Sequence, residues 1–232
     1  MEKKYKLTDE TINLNGVTLY RIEALKDFGE IKKGDKGGFI ASENNLAHEG
    51  NAWVSDDACV YNNARVYGNA HIYGEAWVYG SACVYEDACV FGCACVYNNA
   101  CVYNNARVCC NACVSDNARV YNDARLSDNS WVYDNACVYG TSCVYGSASV
   151  CGDAEISTDA DYIVFKNWWS SGRYFTWTRS NNMWSVGCFY GTGEELIKKA
   201  YKDSELSGRE YERVVRYVES ILAEESLSKG TN

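Results

Sequence analysis

The chain has 232 residues, with 31 acidic and 22 basic side chains, a net charge of −9, 13 cysteines and no proline. That length suffices for one elongated domain with end caps, and no apolar run reaches the roughly 18 residues that a membrane-spanning helix needs. Most of that negative charge lies in residues 52–159 and argues against direct DNA binding by that segment, since such binding calls for a basic patch or stripe.

Residues 1–51 read as an N-terminal β cap. The opening MEKKYKLTDE has no apolar core like that of a signal peptide, so a cytoplasmic location is expected. Thr11 to Ile22 alternates about Asn15-Gly16 and predicts a hairpin. Glu23 to Phe28 predicts one short helical turn. The glycines and lysines of Lys32–Gly38 invite a phosphate-loop reading, but GxxxxGK[ST] is absent and a lysine-rich turn accounts for them better. From Ile40 a six-residue frame begins, with Leu46 and His48 where Ala and Val later stand. A degenerate coil of this kind protects a solenoid end from recruiting other chains.

Residues 52–159 then repeat Ala-x-Val-Tyr-(Gly/Asn/Asp)-(Asn/Asp) eighteen times without insertion or deletion. The first place departs from Ala only at Ser130 and Ser142, and the third from Val only at Ile72, Leu126 and Ile156. Ala-x-Val has the period of a strand, so Ala and Val share one side and x takes the other. Gly, Asn and Asp in the following places tolerate positive φ and bend the chain at low cost. So short a strand survives only when the next coil stacks on it, which makes the segment a solenoid. Its interior is a column of Ala and Val, each buried Val contributing roughly 1.5–3 kcal/mol. Coils of two or of three units are both conceivable; with three, Ile72 and Leu126 fall in one interior column.

The repeat resembles the hexapeptide-repeat family, the left-handed parallel β-helix of many acyltransferases. That family places an aliphatic residue at i and a small one at i+4, as Val66 with Ala70 and Val78 with Ala82 do here. The resemblance implies an all-β solenoid of triangular coils with a left-handed crossover. About six 18-residue coils would stack to roughly 29 Å at about 4.8 Å per coil. The whole arrangement, from N-terminal cap through long repeat to small C-terminal β/α unit, looks like hexapeptide-type proteins of bacteriophages and gut bacteria. That likeness brings no established activity.

The repeat holds twelve Asp/Glu and four Arg, a charge of −8, mostly at turn places such as Asp56, Asp87, Asp116 and Asp134. Turn chemistry and solubility explain this; an acidic rod that docks on a basic partner or mimics a nucleic acid is the sharper reading. Eight cysteines occupy the outward x place, among them Cys95 and Cys113. Their odd total of 13 and their periodic placing do not suit a disulfide scaffold, and reduced thiols acting as small apolar fillers are expected. Eighteen-residue coils would stack Cys83 on Cys101 and Cys95 on Cys113. Cys110-x-x-Cys113 has a zinc spacing but no second pair, so neither a metal nor another cofactor is expected.

In three-sided coils the x ladder has a second face reading Cys59, Trp77, Cys95, Cys113, Trp131, Ser149. A Trp/Cys strip of this kind points to an interface, with Trp77, Trp131, Cys95 and Cys113 as its candidates. The family resemblance implies a homotrimer along the prism.

Residues 160–232 change composition. Tyr162–Lys166, Arg173–Arg179 and Met183–Tyr190 read as strands. Pairing the last two about Asn181-Asn182 sets Arg179 opposite Trp184, Trp177 opposite Val186 and Arg173 opposite Tyr190. Arg173, Trp177, Arg179 and Trp184 on one face could stack a base and hold a phosphate, or could form the core under two following helices. Thr192 is placed to cap the first helix, and Tyr211, Val214, Val215, Val218, Ile221 and Leu222 mark the packed face of the second. Ser226–Asn232 is expected to fray.

The functional expectation is a non-catalytic trimeric binding protein, a phage-type accessory factor. Its partner would be a host protein acting in defence or on nucleic acid, or a small nucleotide. A purely structural spacer and a hexapeptide-family acyltransferase are the alternatives. The acyltransferase resemblance implies a His general base, for which this chain offers His48 and His71; His71, in an ordinary x place, is the weak candidate. No catalytic set is predicted.

Overall fold

The structure, a computed structural model, describes residues 2–229 except Asn15 and Ser170. It divides into two compact units, Met1–Asp161 and Tyr162–Asn232, so the N-terminal cap and the repeat belong to one body. A hairpin of β1 (Tyr5–Leu14) and β2 (Val17–Ala24) leads into β3 (Lys36–Ile40). The repeat follows as eighteen two-residue strands among the described residues, β4 (Trp53–Val54) to β21 (Glu155–Ile156), one per six-residue unit.

Every repeat strand pairs in parallel with the strand eighteen residues on, giving three ladders: β4-β7-β10-β13-β16-β19, β5-β8-β11-β14-β17-β20 and β6-β9-β12-β15-β18-β21. Coils therefore contain three units, and Ile72 and Leu126 do share one interior column with Val54, Val90, Val108 and Val144. Inside, all the Ala-place and Val-place residues in the core are at most 1% exposed. Ser142 fits there because its hydroxyl donates to the Tyr139 carbonyl at 2.7 Å. The Ser130 hydroxyl is buried and has no partner.

The fifth place of every unit from Asp56 to Gly152 has positive φ, between 55° and 73°. Asn, Asp and Gly serve it at low cost; Glu86 and Cys110 adopt it against their preference. The acidic turn residues bond the coil above: Asp56 accepts from the Gly74 N–H at 2.9 Å, Asp134 from Gly152 at 3.0 Å, and Glu86 from Asn104 at 2.9 Å. Much of the rod's negative charge is thus turn chemistry. At the fourth place, rings stack from coil to coil. Tyr67, Tyr85, Tyr103, Tyr121 and Tyr139 form one column with centroids 4.8–5.1 Å apart and planes within 8°.

The cap departs from its expected form in three respects. Glu23–Phe28 is not helical: β2 continues to Ala24, and Phe28 and Ile31 exchange backbone hydrogen bonds of 3.0 and 2.9 Å. Phe39 pairs with Cys59, Ile40 with Val60 and Leu46 with Val66, each twenty residues on, so this seventh turn is two residues longer than the rest. Ile40 and Leu46 consequently both occupy the Val column, and His48 leaves the interior to stack on Tyr5 at 4.3 Å. Finally, Gly37 and Gly38 are packing glycines. A Cβ on Gly37 would come within 2.5 Å of the Val54 carbonyl, and one on Gly38 within 2.6 Å of that of Ala58.

Both ends of the rod are closed by polar side chains. Buried Asn45 donates to the Asn62 and Ala64 carbonyls at 3.0 and 2.8 Å, replacing donors that a preceding coil would supply. Buried Lys4 donates in the same way to Ala52 at 2.8 Å. At the far end the Asp159 carboxylate accepts from the Cys143 N–H at 2.7 Å, and Asp161 accepts from the backbones and hydroxyls of Ser157 and Thr158.

The second unit is an antiparallel sheet of β22 (Tyr162–Lys166), β23 (Tyr174–Thr178), β24 (Met183–Val186) and β25 (Phe189–Gly191), followed by α1 (Gly193–Asp203) and α2 (Glu205–Lys229). Thr192 caps α1 in a reciprocal pair with Glu195. Helix α2 extends through Ser226–Ser228, part of the tail expected to fray; Gly230–Asn232 lie outside the described residues. The strand register differs by two from the expected one: Trp177 faces Trp184 and Phe175 faces Val186. Asn181 and Asn182 set it, accepting hydrogen bonds from the Thr178 hydroxyl at 2.6 Å and the Trp177 indole at 2.9 Å. The third predicted strand breaks at Gly187, whose φ of +58° turns the chain into β25. A shift of two preserves the face, so Phe175, Trp177, Trp184 and Val186 still lie together. They form a core with Leu196, Ile197, Val215 and Val218.

Candidate functional site

The second outward ladder runs Cys59, Trp77, Cys95, Cys113, Trp131, Ser149, as the eighteen-residue coil requires. Its two ends differ. The N-terminal hairpin lies over the first: Leu19, Phe39, Cys59 and Tyr61 form a buried cluster, against which Ile12, Leu14, Val17 and Trp77 pack. Trp77 is thereby engaged by its own chain. Trp131 remains 53% exposed, and with half-buried Cys95 and Cys113 it makes an apolar strip along three coils.

The first ladder begins Trp53, His71, Cys89, Arg107. Trp53 is buried against Tyr5 and Phe28, with ring centroids 6.3 and 5.3 Å away. His71 is half-buried beside it; burial, and then the Lys4 ammonium, push its pKa below the usual histidine value. The same burial lowers Lys4 itself to about 8.

The third ladder reads Arg65, Cys83, Cys101, Arg119, Cys137, Glu155. Among the described residues no cysteine is joined in a disulfide. The two stacked thiol pairs foreseen from the repeat are present, Cys83 on Cys101 and Cys95 on Cys113. The neighbouring Cys101 thiol, and then Arg65, hold the Cys83 thiol below its usual range against the effect of burial, and the Cys95 thiol does the same for Cys113. A polar cleft of about 540 Å3 opens beside Arg65 at the capped end, lined also by Glu43, Asn45, Asn63 and Tyr67.

The four C-terminal candidates do not form a base-stacking site. Trp177 and Trp184 are 1% and 2% exposed, so neither indole offers a face to a ligand. They took the core alternative because the sheet needs a bulky apolar layer under α1 and α2. Arg179 pairs with Glu225 at 2.6 Å at the rim of that core. Arg173 is exposed and lies apart, against a cavity of about 100 Å3 that Cys188, Lys199 and Tyr211 also line. Sequence reasoning passed over Trp168, which is 82% exposed next to the packed Trp169. Its only signal was the Trp-Trp pair in a loop.

A family model of the YdcK β-solenoid repeat matches residues 58–74, slightly less than one coil. The rod is a β-solenoid repeat. The likeness identifies the repeat unit and carries no activity, and it does not extend to acyltransferases or to phage proteins. No curated protein matches the chain. Among the described residues no helix is long and apolar enough to cross a membrane.

Proposed function

We propose that the protein is a non-catalytic binding protein that assembles as a homotrimer through the second face of its rod. The carrying observation is the strip from Cys95 to Trp131. The cap covers the other outward tryptophans, Trp53 and Trp77, while Trp131 stays 53% exposed on its strand ladder. Apolar strips of this kind mark interfaces, and cyclic symmetry buries them with one repeated contact.

The acidic turn ladders then face outward and favour a basic protein surface as partner. In the setting that the phage resemblance implies, that partner is a host protein. A nucleotide ligand is not part of this proposal, because the tryptophans that would stack it are buried.

Sedimentation at micromolar concentration tests the assembly. The wild type is expected at about three times the 25.9 kDa chain mass. Trp131→Glu is expected to give folded monomers. A monomeric wild type would refute the trimer and leave the strip for a different partner.

A further inference from the structure

The stacked thiols have a geometry that a disulfide scaffold would not produce. Cys83 and Cys101 are in-register partners on adjacent parallel strands. Each sulfur lies over the carbonyl two residues back, Cys83 Sγ 3.9 Å from Ser81 O and Cys101 Sγ 3.8 Å from Asn99 O. The two side chains therefore share one rotamer and differ by a translation of one coil. The rings two residues on, Tyr85 and Tyr103, measure that translation between the same coils as 4.9 Å. Equivalent atoms on in-register strands repeat at the strand spacing, so a separation of about 4.8 Å is expected of the two sulfurs.

A disulfide requires about 2.05 Å between sulfurs and Cβ atoms about 3.5–4.5 Å apart, which two in-register strands do not offer without moving. A metal ion held in line between two thiolates, with bonds of about 2.3 Å like those of zinc to cysteine, spans about 4.6 Å. Soft thiolates with no third ligand suit a monovalent d10 ion, Cu(I) above all. Two thiolates and one such ion carry a net negative charge, and the same ladder brackets the pair with Arg65 on one side and Arg119 on the other. We propose that Cys83 and Cys101 form a two-coordinate Cu(I) site on the third face of the rod.

Binding replaces the thiol protons with the ion and releases them to solvent. Cys95 and Cys113 repeat the geometry, both sulfurs 3.8 Å from the equivalent carbonyl and the adjacent rings Tyr79 and Tyr97 5.0 Å apart. Their ladder neighbours are Trp77 and Trp131, which offer no compensating charge, and this strip is the one the proposed trimer buries, so the second pair does not load. Cys137, between Arg119 and Glu155, has no thiol partner on its ladder and does not bind.

The test is an anaerobic titration of the reduced full chain with Cu(I) against a coloured competing chelator. One equivalent per chain is expected to bind, with X-ray absorption showing two sulfur neighbours in line. Cys83→Ser and Cys101→Ser are each expected to abolish it, and Cys137→Ser to leave it. Serine already stands on an x ladder at Ser149, and circular dichroism checks that each variant folds. Retention of that equivalent in Cys83→Ser would overturn the proposal. So would its loss in a Cys109→Ser/Cys110→Ser double variant, or an ion with three sulfur neighbours.

Discussion

The tyrosine column offers the sharpest test of how the rod is held together. Tyr103 stands mid-column, stacked on Tyr85 at 4.9 Å and 1° and on Tyr121 at 5.0 Å and 4°. An offset aromatic pair contributes about 0.5–1.5 kcal/mol beyond its buried area, so Tyr103→Ser forfeits about 1–3 kcal/mol of stacking. Serine is a fair replacement, since the repeat itself uses it at the fourth place in Ser55, Ser115, Ser127 and Ser157. The decisive measurement is a double-mutant cycle by urea denaturation followed by circular dichroism. Tyr85→Ser and Tyr103→Ser are expected to couple by about 0.5–1.5 kcal/mol, because the two rings touch. Tyr67→Ser and Tyr103→Ser, two coils apart, are expected to add independently. Burial, and then Tyr67, push the Tyr85 hydroxyl up to about 12, so the stack stays neutral throughout such an experiment near pH 7. Equal coupling in both cycles, or none in the first, would refute pairwise stacking as a source of stability.

Val102→Asp is expected to destabilise by several kcal/mol, through lost apolar burial and a carboxylate in a dry column, whereas Cys101→Ser should cost little; the same denaturation curves compare them. Ser130→Ala is expected to stabilise by about 1–3 kcal/mol, since it removes a buried hydroxyl that has no partner, while Ser142→Ala should be close to neutral or slightly destabilising. Burial opposes ionisation of Asp161, but the Ser157 and Thr158 donors prevail and hold its carboxyl below the usual 3.8. Its contribution is therefore present above pH 3.8 and disappears as pH falls through the lower folded value; an acid titration of Asp161→Asn should lack that component.

The periodicity alone determined the rod. With Ala and Val recurring every six residues and turn formers between them, the side chains have one inward solution, and the strand boundaries and turns follow from counting. The number of units per coil, and so which cysteines stack, was decided by the eighteen-residue pairing of the strands. Ser130 and Ser142 look alike in the sequence, yet only the packed structure distinguishes the bonded hydroxyl from the orphaned one. The cap was less legible because its spacing slips by two residues after Leu46, and no local signal marks a slip that the stacking of Ile40 on Val60 and Leu46 on Val66 imposes. The candidate sites divide in the same way. The x ladders could be written down in advance, but whether Trp77 or Trp131 meets solvent depended on where a hairpin forty or more residues away folds back. In the C-terminal unit the alternation correctly put Phe175, Trp177 and Trp184 on one face. Which way that face looks was decided by α1 and α2, because a sheet face becomes a core only when another layer covers it.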